Sequence, residues 1–78
     1  MIAAPVLTFA VESTLLAGGA YDAAQSLLDL QFRDGTIYRY FAVPPSTVDQ
    51  LFVADSKGAF FNRHIRNRFR YVCFMPTM

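Results

Sequence analysis

The sequence predicts a small α+β domain, in which a three-stranded antiparallel meander is followed by two helices packed on one face. Three observations indicate this fold. Residues 26–33 alternate apolar and polar side chains, as half-buried strands do. Residues 36–42 are rich in β-forming residues and follow an Asp34-Gly35 turn. Residues 56–70 repeat apolar residues at helical spacing. An extended N-terminal arm and an apolar C-terminal tail or extra edge strand complete the predicted fold.

The N-terminal part of the chain favours extended structure. Residues 1–11 alternate poorly and contain a proline, which predicts an extended arm or an edge strand rather than a helix. Residues 14–21 predict a strand, in which Gly18 and Gly19 mark a bulge or a close backbone approach. A turn is expected over residues 22–25. We divide the chain into an arm at residues 1–10, a domain at residues 11–72 and a tail at residues 73–78.

The length of the hairpin loop decides where the side chains of its two strands point. A two-residue loop puts the charge of Arg39 into the apolar layer, which is costly. A three-residue loop at residues 33–35, with Gly35 in the left-handed bulge position, pairs Arg39 with Asp29 instead. We predict the second register because it pairs opposite charges and keeps one face apolar. Its facing pairs are Phe32 with Thr36, Leu30 with Tyr38, and Leu28 with Tyr40.

Two helices follow the hairpin. Pro44 ends the strand, and Pro45 suits a first helical turn, so a short helix is expected over residues 45–54. Its buried stripe consists of Val48, Leu51 and Phe52.

Residues 56–70, SKGAFFNRHIRNRFR, predict one amphipathic helix that organises the rest of the fold. Ser56 is expected to cap it by accepting a hydrogen bond from an N–H of the first turn. The spacing gives an apolar stripe that docks the helix and a cationic stripe that faces outward. The apolar stripe consists of Phe61, Ile65, Phe69 and Val72, and the cationic stripe consists of Arg63, Arg66 and Arg70.

Charge is distributed unevenly along the chain. All six acidic residues lie in the first 55 residues, beside only Arg33 and Arg39, which gives that part a net charge of −4. The five cations of residues 57–70 have no acid among them, which gives +5. This asymmetry can attract phosphate or an acidic protein patch, although arginines near a helix end also suit the helix dipole and solubility.

The composition predicts contact with another chain and an intracellular location. Of the 78 residues, 54% are hydrophobic and 17% are charged, which is more apolar surface than so small a monomer can bury. We therefore expect a homo-oligomer. Cys73 is the only cysteine, which favours a reduced compartment. No basic signal-peptide region and no spanning apolar run are present, so we expect a cytoplasmic protein with no membrane partner.

The order of motifs resembles the KTSC domain, a family named for the C-terminus of certain lysine tRNA synthetases and also found as small free-standing proteins in bacteria and phages. The resemblance covers about residues 11–71, and the chain departs from the usual family pattern in its apolar N-terminal arm, in Gly18-Gly19 and in the YVCFM tail. It implies a small α+β domain without catalytic residues, and RNA binding has been suggested from the synthetase context. The matching text is Tyr21-Asp22, Leu28-x-Leu30-x-Phe32-x-x-Gly35, Tyr38-Arg39-Tyr40, Val43-Pro44, Ala54-Asp55-Ser56-Lys57-Gly58, Phe61-Asn62 and Ile65-Arg66.

These residues favour a non-catalytic binding module for a phosphate-bearing ligand, either RNA or a nucleotide. Guanidinium groups fork onto phosphate oxygens, and aromatic rings stack on bases. Tyr38 and Tyr40 can instead be core residues, and the predicted register favours that interpretation. The arginines can instead form a solvated face of the helix. The expected ligand-binding residues are Lys57, Arg63, Arg66 and Arg70 for phosphate, with Asn62, His64, Tyr38 and Tyr40 as secondary contacts.

The alternative is a homo-oligomeric interaction or structural protein. Its apolar ends would join subunits, and its cations would meet an acidic patch on a sister subunit or a host protein. In a phage or bacterial protein, such an oligomer could also sequester a nucleotide signal. One histidine, His64, and one cysteine make no metal site and no oriented nucleophile pair, so we expect neither an enzyme nor a cofactor.

Overall fold

The computed structural model describes residues 6–11 and 14–74. It contains one antiparallel sheet of five strands, in which each strand pairs with its neighbours in sequence. The α+β class with two helices is as predicted, but the meander has five strands rather than three. The elements are β1 (Val6–Ala10), β2 (Leu16–Asp22), β3 (Leu27–Phe32), β4 (Ile37–Tyr40), α1 (Pro45–Val53), α2 (Lys57–Phe60), a π-helical segment (Phe61–Ile65) and β5 (Tyr71–Phe74).

The two additional strands lie at the edges of the sheet. β1 pairs with β2, so residues 6–10 form an edge strand, one of the two structures expected for the N-terminal residues. β5 pairs with β4, so residues 71–74 form the extra edge strand that was the alternative to a free tail. The rest of the predicted arm, residues 1–5, and of the predicted tail, residues 75–78, lies outside the described residues.

The predicted hairpin register is confirmed. Asp29 faces Arg39 and Leu30 faces Tyr38 across β3 and β4. The Phe32 N–H donates to the Thr36 carbonyl at 2.8 Å, which closes a three-residue loop. Gly35 has φ 93°, the left-handed conformation that glycine adopts without steric cost. The Arg39 guanidinium donates twice to the Asp29 carboxylate, at 2.8 and 3.0 Å, as the charge pairing predicted.

Gly18 and Gly19 are sites of close backbone approach, as expected. The register shifts between Leu16 and Gly18, which marks an irregularity in β2. A Cβ on Gly19 would lie 2.6 Å from the Asp29 carbonyl oxygen and 2.7 Å from the Phe9 ring. The Phe9 ring therefore occupies the space above Gly19, and it contacts Phe52 of α1 edge-to-face at 4.8 Å.

The core lies between one face of the sheet and the helices. From α1, Val48 and Leu51 are buried; Phe52, the third member of the predicted stripe, is half-buried. The Tyr21 hydroxyl donates to the buried Val43 carbonyl at 2.6 Å, which ties β2 to the segment before α1. In the described ranges, no helix has the length and hydropathy that crossing a membrane requires. The buried cluster consists of Val11, Leu16, Tyr21, Leu28, Leu30, Tyr40, Val43, Val48, Leu51, Phe61 and Ile65.

The prediction of one helix over residues 56–70 is wrong in its extent. The helix begins as expected, because the Ser56 hydroxyl accepts from the Ala59 N–H at 3.2 Å. It ends at Ile65, where the Arg66 N–H donates to the Phe61 carbonyl and closes a π-helical turn. Asn67 then has φ 64°, a left-handed conformation that asparagine tolerates and that turns the chain back towards the sheet edge.

This early end splits both predicted stripes. Phe61 and Ile65 are buried as predicted, whereas Phe69 lies in the returning loop and Val72 lies in β5. Pairing with β4 satisfies backbone groups that a longer helix would have satisfied internally. Arg70 therefore does not extend a helical stripe begun by Arg63.

Candidate functional site

A cleft of about 320 Å³ opens between the helix-facing side of the sheet and the loop that follows the π-helical segment. We call it the aromatic cleft, because five of its eight lining residues are aromatic. The cleft is lined by Leu15, Phe32, Tyr38, Tyr40, Phe61, Arg66, Asn67 and Tyr71.

Three tyrosines from adjacent strands form one wall of the cleft. Tyr40 faces Tyr71 across the ladder of β4 and β5, and facing residues lie on the same side of a sheet. The Tyr38 and Tyr40 rings are 6.3 Å apart and nearly parallel, at 19°. The Tyr71 ring lies 5.6 Å from Tyr38 and 5.7 Å from Tyr40, tilted by 45° and 39°. The three rings form a continuous π surface.

Phe32 and Phe61 close the back of this wall. The Phe61 ring meets Phe32 edge-to-face at 5.2 Å and Tyr40 at 5.8 Å. Phe61 and Tyr40 are 3% and 2% exposed, so they are fixed by the core, while Tyr71 is 52% exposed at the mouth. The cleft thus has a buried floor, and Tyr71 is the most exposed of its rings.

Arg66 and Asn67 supply the polar side of the cleft. They lie where the chain leaves the π-helical segment, and the Arg68 N–H donates to the Ile65 carbonyl at 3.1 Å to hold this turn. The Arg66 side chain is exposed, and its Nη1 lies 3.5 Å from the Asn62 Oδ1. One charged group and one amide therefore lie beside the aromatic wall.

The pKa values of Tyr38 and Tyr40 are raised above that of an ordinary tyrosine. Burial raises the pKa of Tyr40, and the nearby Arg66 charge opposes part of that rise. The pKa of Tyr38 is also raised, chiefly by its interaction with Cys73 and then by a hydrogen bond to it. Both phenols are therefore neutral at neutral pH.

The structure brings together only some of the predicted site residues. Tyr38, Tyr40 and Arg66 line the cleft, and Asn62 contacts it through Arg66. For Tyr40 the core interpretation is confirmed, since the residue is 2% exposed; Tyr38 is half-buried.

The remaining predicted residues lie elsewhere. The Lys57 Nζ donates to the Ala54 carbonyl at 3.1 Å and so caps the end of α1. The His64 ring packs on Phe60, with 4.6 Å between ring centroids. Arg63 and Arg70 are exposed outside the lining of the cleft.

Sequence reasoning missed Tyr71, Phe32, Phe61, Asn67 and Leu15 as residues of one site. The sequence places Tyr71 in the apolar YVCFM tail. Its pairing with Tyr40 joins residues 31 positions apart, and local patterns do not reveal such a pairing. Its tyrosine side chain and β-forming neighbours were the available signal. Asn67 was hidden inside the predicted helix, although asparagine is common at left-handed helix ends.

We call residues 57–70, with their five cations, the basic segment. Within residues 6–11 and 14–74, the ion pair between Arg39 and Asp29 lies in the β3–β4 ladder, and none joins an arginine of the basic segment to an acid. Arg63, Arg66, Arg68 and Arg70 are all exposed. Their charge is therefore available to a partner.

Comparison with known proteins decides the family. The family model of the KTSC domain matches residues 12–69, about three quarters of the chain. This chain belongs to the KTSC domain family. The resemblance seen in the sequence is thereby confirmed, and the matched residues of the KTSC domain run from just before β2 to the loop before β5.

Related sequences cover most of this KTSC domain. A protein from Tsukamurella paurometabola is 42% identical over 62 residues, which span 80% of this chain and 92% of the relative. A protein from Stutzerimonas stutzeri is 41% identical over 63 residues, spanning 80% of this chain and 89% of the relative. A lysine–tRNA ligase from Nostoc punctiforme is 35% identical over 71 residues, 91% of this chain but 12% of the ligase.

A solved structure has the same fold. The crystal structure of a KTSC domain protein from Yersinia pestis superposes with a TM-score of 0.80 at 30% sequence identity. The superposition covers 94% of this chain and all of that one. The overall fold of the chain is therefore that of a KTSC domain.

Proposed function

We propose that this KTSC domain is a non-catalytic binding module for a phosphate-bearing ligand, either RNA or a nucleotide. The observation that carries the proposal is Arg66 beside the aromatic cleft, within a basic segment whose arginines are exposed and form no ion pair with the carboxylates that the structure describes. Planar guanidinium groups bind phosphate oxygens, and unpaired bases stack on aromatic rings. One surface thus offers both kinds of contact.

The relatives support a ligand of this kind. Lysine–tRNA ligases carry a segment 35% identical to this chain, and their name includes a tRNA. The cations of the basic segment would then bind the backbone of the RNA, which is the sequence-independent part of such binding.

The experiment is an RNA-binding titration at several salt concentrations. A fluorescent single-stranded octanucleotide is titrated with the domain and with the variant Arg63→Ala/Arg66→Ala/Arg70→Ala. If each arginine contacts a phosphate, the slope of log affinity against log salt falls by about 2 in the variant, since each contact to a single strand contributes about 0.7. An affinity that does not depend on salt concentration, or a slope that is unchanged in the variant, would contradict the proposal.

A matched control lowers the net charge by the same three charges elsewhere. Ala24, Ser46 and Gln50 are exposed and lie outside the cleft and the basic segment. The variant Ala24→Glu/Ser46→Glu/Gln50→Glu should retain the slope of the unmodified domain. A slope reduced equally in both variants would mean that overall charge, rather than these arginines, controls binding.

The proposal assigns no catalytic step to the domain. The ring of His64 packs on Phe60, and among the described residues no histidine, aspartate or glutamate lines the cleft. We expect His64→Ala to leave RNA affinity unchanged. Phosphodiester hydrolysis that disappears in this variant would overturn the non-catalytic assignment.

A second candidate function, self-association, is favoured by one observation. β5 is an edge strand whose Tyr71, Val72 and Phe74 side chains are 52%, 42% and 44% exposed. An apolar edge strand offers its free N–H and C=O groups to a strand of another chain. We propose a homo-oligomer joined at β5, or a protein partner that adds a strand there. Sedimentation of a monomer at micromolar concentration would contradict the homo-oligomer.

A further inference from the structure

We propose that the aromatic cleft binds a single unpaired nucleobase, so that this domain selects single-stranded over double-stranded nucleic acid. The inference rests on the proposed function and specifies the ligand group that enters the site. It follows from the size of the cleft, the arrangement of its rings and the place of its polar groups.

The volume of the cleft admits one nucleoside-sized group. Small-molecule sites in proteins have volumes of about 300–1,000 Å³, and this cleft, at about 320 Å³, is at the lower end. A base pair is roughly twice as wide as one base and is stacked on both sides by its neighbours. A duplex therefore cannot present a base to the cleft without unpairing, which costs a few kcal/mol.

Tyr71, the most exposed ring of the cleft, lies where an entering base can stack on it. Tyr71 is half exposed, while Tyr40 beneath it is buried and held by Phe61. The Tyr71 plane is tilted by 39° from that of Tyr40, so the two rings are not closed face to face. A base that enters the mouth can contact the Tyr71 face while its edge lies towards the floor.

The polar groups complement a base joined to a phosphate. The exposed Asn67 amide offers donors and an acceptor that can pair with a base edge. The exposed Arg66 guanidinium lies at the rim, where a phosphate on the same nucleotide would be. Asn67 keeps its place because its backbone is in a left-handed turn rather than in a helix.

The same chemistry is present in a free nucleotide and in an unpaired residue of an RNA strand. The experiment distinguishes these sources with four probes: uridine, uridine 5′-monophosphate, a single-stranded uridine octanucleotide, and an eight-base-pair RNA duplex. Affinities are measured by titration, and the chemical shifts of the tyrosine rings report whether the cleft is occupied. Equal affinity for the monophosphate and the octanucleotide would identify the free nucleotide as the ligand, whereas tighter octanucleotide binding would identify the strand.

Tyr71→Leu is the test variant, and Val72→Ala is its matched control. The two residues are neighbours in the same edge strand and similarly exposed, but only Tyr71 lines the cleft. We expect Tyr71→Leu to weaken octanucleotide binding about five-fold or more, the loss of one base stack, with the salt slope unchanged. We expect Val72→Ala to bind as the unmodified domain does.

Asn67→Gly provides a second variant that preserves the backbone. Glycine adopts the left-handed conformation of this position readily, so the turn is kept while the amide is lost. We expect weaker binding of the octanucleotide and of the monophosphate. This variant keeps the inference testable if Tyr71→Leu disturbs the pairing of β5.

The outcomes separate the inference from the proposed function. Equal affinity for duplex and single strand, or unchanged octanucleotide binding in both Tyr71→Leu and Asn67→Gly, would overturn the nucleobase site while leaving salt-dependent phosphate binding intact. Uridine-induced shifts of the tyrosine rings, with no salt dependence for any probe, would support the nucleobase site and overturn phosphate binding. At least ten-fold preference for the single strand, reduced about five-fold or more in Tyr71→Leu, is the expected result.

Discussion

At the scale of single residues, Gly19 shows how a missing side chain permits a packed layer. β1, β2 and β3 lie side by side, and the Phe9 ring crosses over Gly19 to reach Phe52 of α1. A Cβ at Gly19 would collide with a backbone oxygen, which cannot rotate away as a side chain can. Glycine at this position thus leaves room for the Phe9 ring of the edge strand β1 to reach α1.

We predict that Gly19→Ala destabilises the domain by about 1–3 kcal/mol, the usual cost of overpacking. The measurement is chemical denaturation of the variant beside the unmodified domain. Gly58→Ala is the control, because Gly58 lies in α2 without a positive φ, where alanine adds up to about 1 kcal/mol of helix stability. Equal stability of Gly19→Ala and the unmodified domain would contradict the close approach.

The buried phenol of Tyr40 predicts a loss of stability at alkaline pH. Its pKa is raised in the folded state above the ordinary value of 10.0, chiefly by burial. The stability linked to this group is therefore fully present below pH 10 and decreases as the pH rises further, because the unfolded chain releases the proton first. Thermal unfolding between pH 8 and about 11 should show this decrease, and Tyr40→Phe should reduce it. A melting temperature independent of pH in this range would contradict it.

At the scale of secondary structure, the hairpin was predictable and the end of the helix was not. The β3–β4 register followed from local rules, since a glycine in the loop and opposite charges at Asp29 and Arg39 left one acceptable pairing. The helical period of residues 56–70 continues past Ile65 in the sequence, but the chain leaves the helix at Arg66. Tertiary pairing of β5 with β4 decides this, and local spacing carries no information about it.

The cap of α2 is the element-scale feature with the clearest energetic consequence. We expect Ser56→Ala to destabilise the domain by about 1 kcal/mol, because it removes the acceptor of the Ala59 N–H. Ser46→Ala is the matched control, since Ser46 is exposed in α1 and that helix has no side-chain cap. Both changes are measured by thermal unfolding, and equal losses would mean that the cap contributes nothing of its own.

At the scale of the whole molecule, the two halves of the sequence meet at the cleft. Leu15 and Phe32 come from the acidic part of the chain, and Arg66 and Asn67 come from the basic segment. Sequence reasoning named Tyr38, Tyr40 and Arg66 among the expected binding residues, and all three line the cleft, but it could not unite them with Tyr71. That union depends on a ladder between distant strands, which no local pattern of side chains specifies.

The open edge of the sheet predicts a separation of self-association from binding. Successive side chains of a strand point to opposite faces of the sheet. Since Tyr71 of β5 lines the cleft, Val72 and Phe74 lie on the opposite face. We expect Val72→Thr/Phe74→Thr to lower any self-association seen by sedimentation at least ten-fold while RNA affinity stays the same. Loss of RNA binding together with self-association would mean that ligand binding requires an assembled surface.

The crowding of tyrosines at one place also gives this domain an optical property. The chain has four tyrosines and no tryptophan, so its ultraviolet emission comes from tyrosine alone. Three of the four rings lie within 5.6–6.3 Å of one another at the cleft, close enough for excitation to migrate among them. Light absorbed by any one of the three can therefore report on whatever quenches its neighbours, and the native protein needs no added dye for its occupancy to be followed.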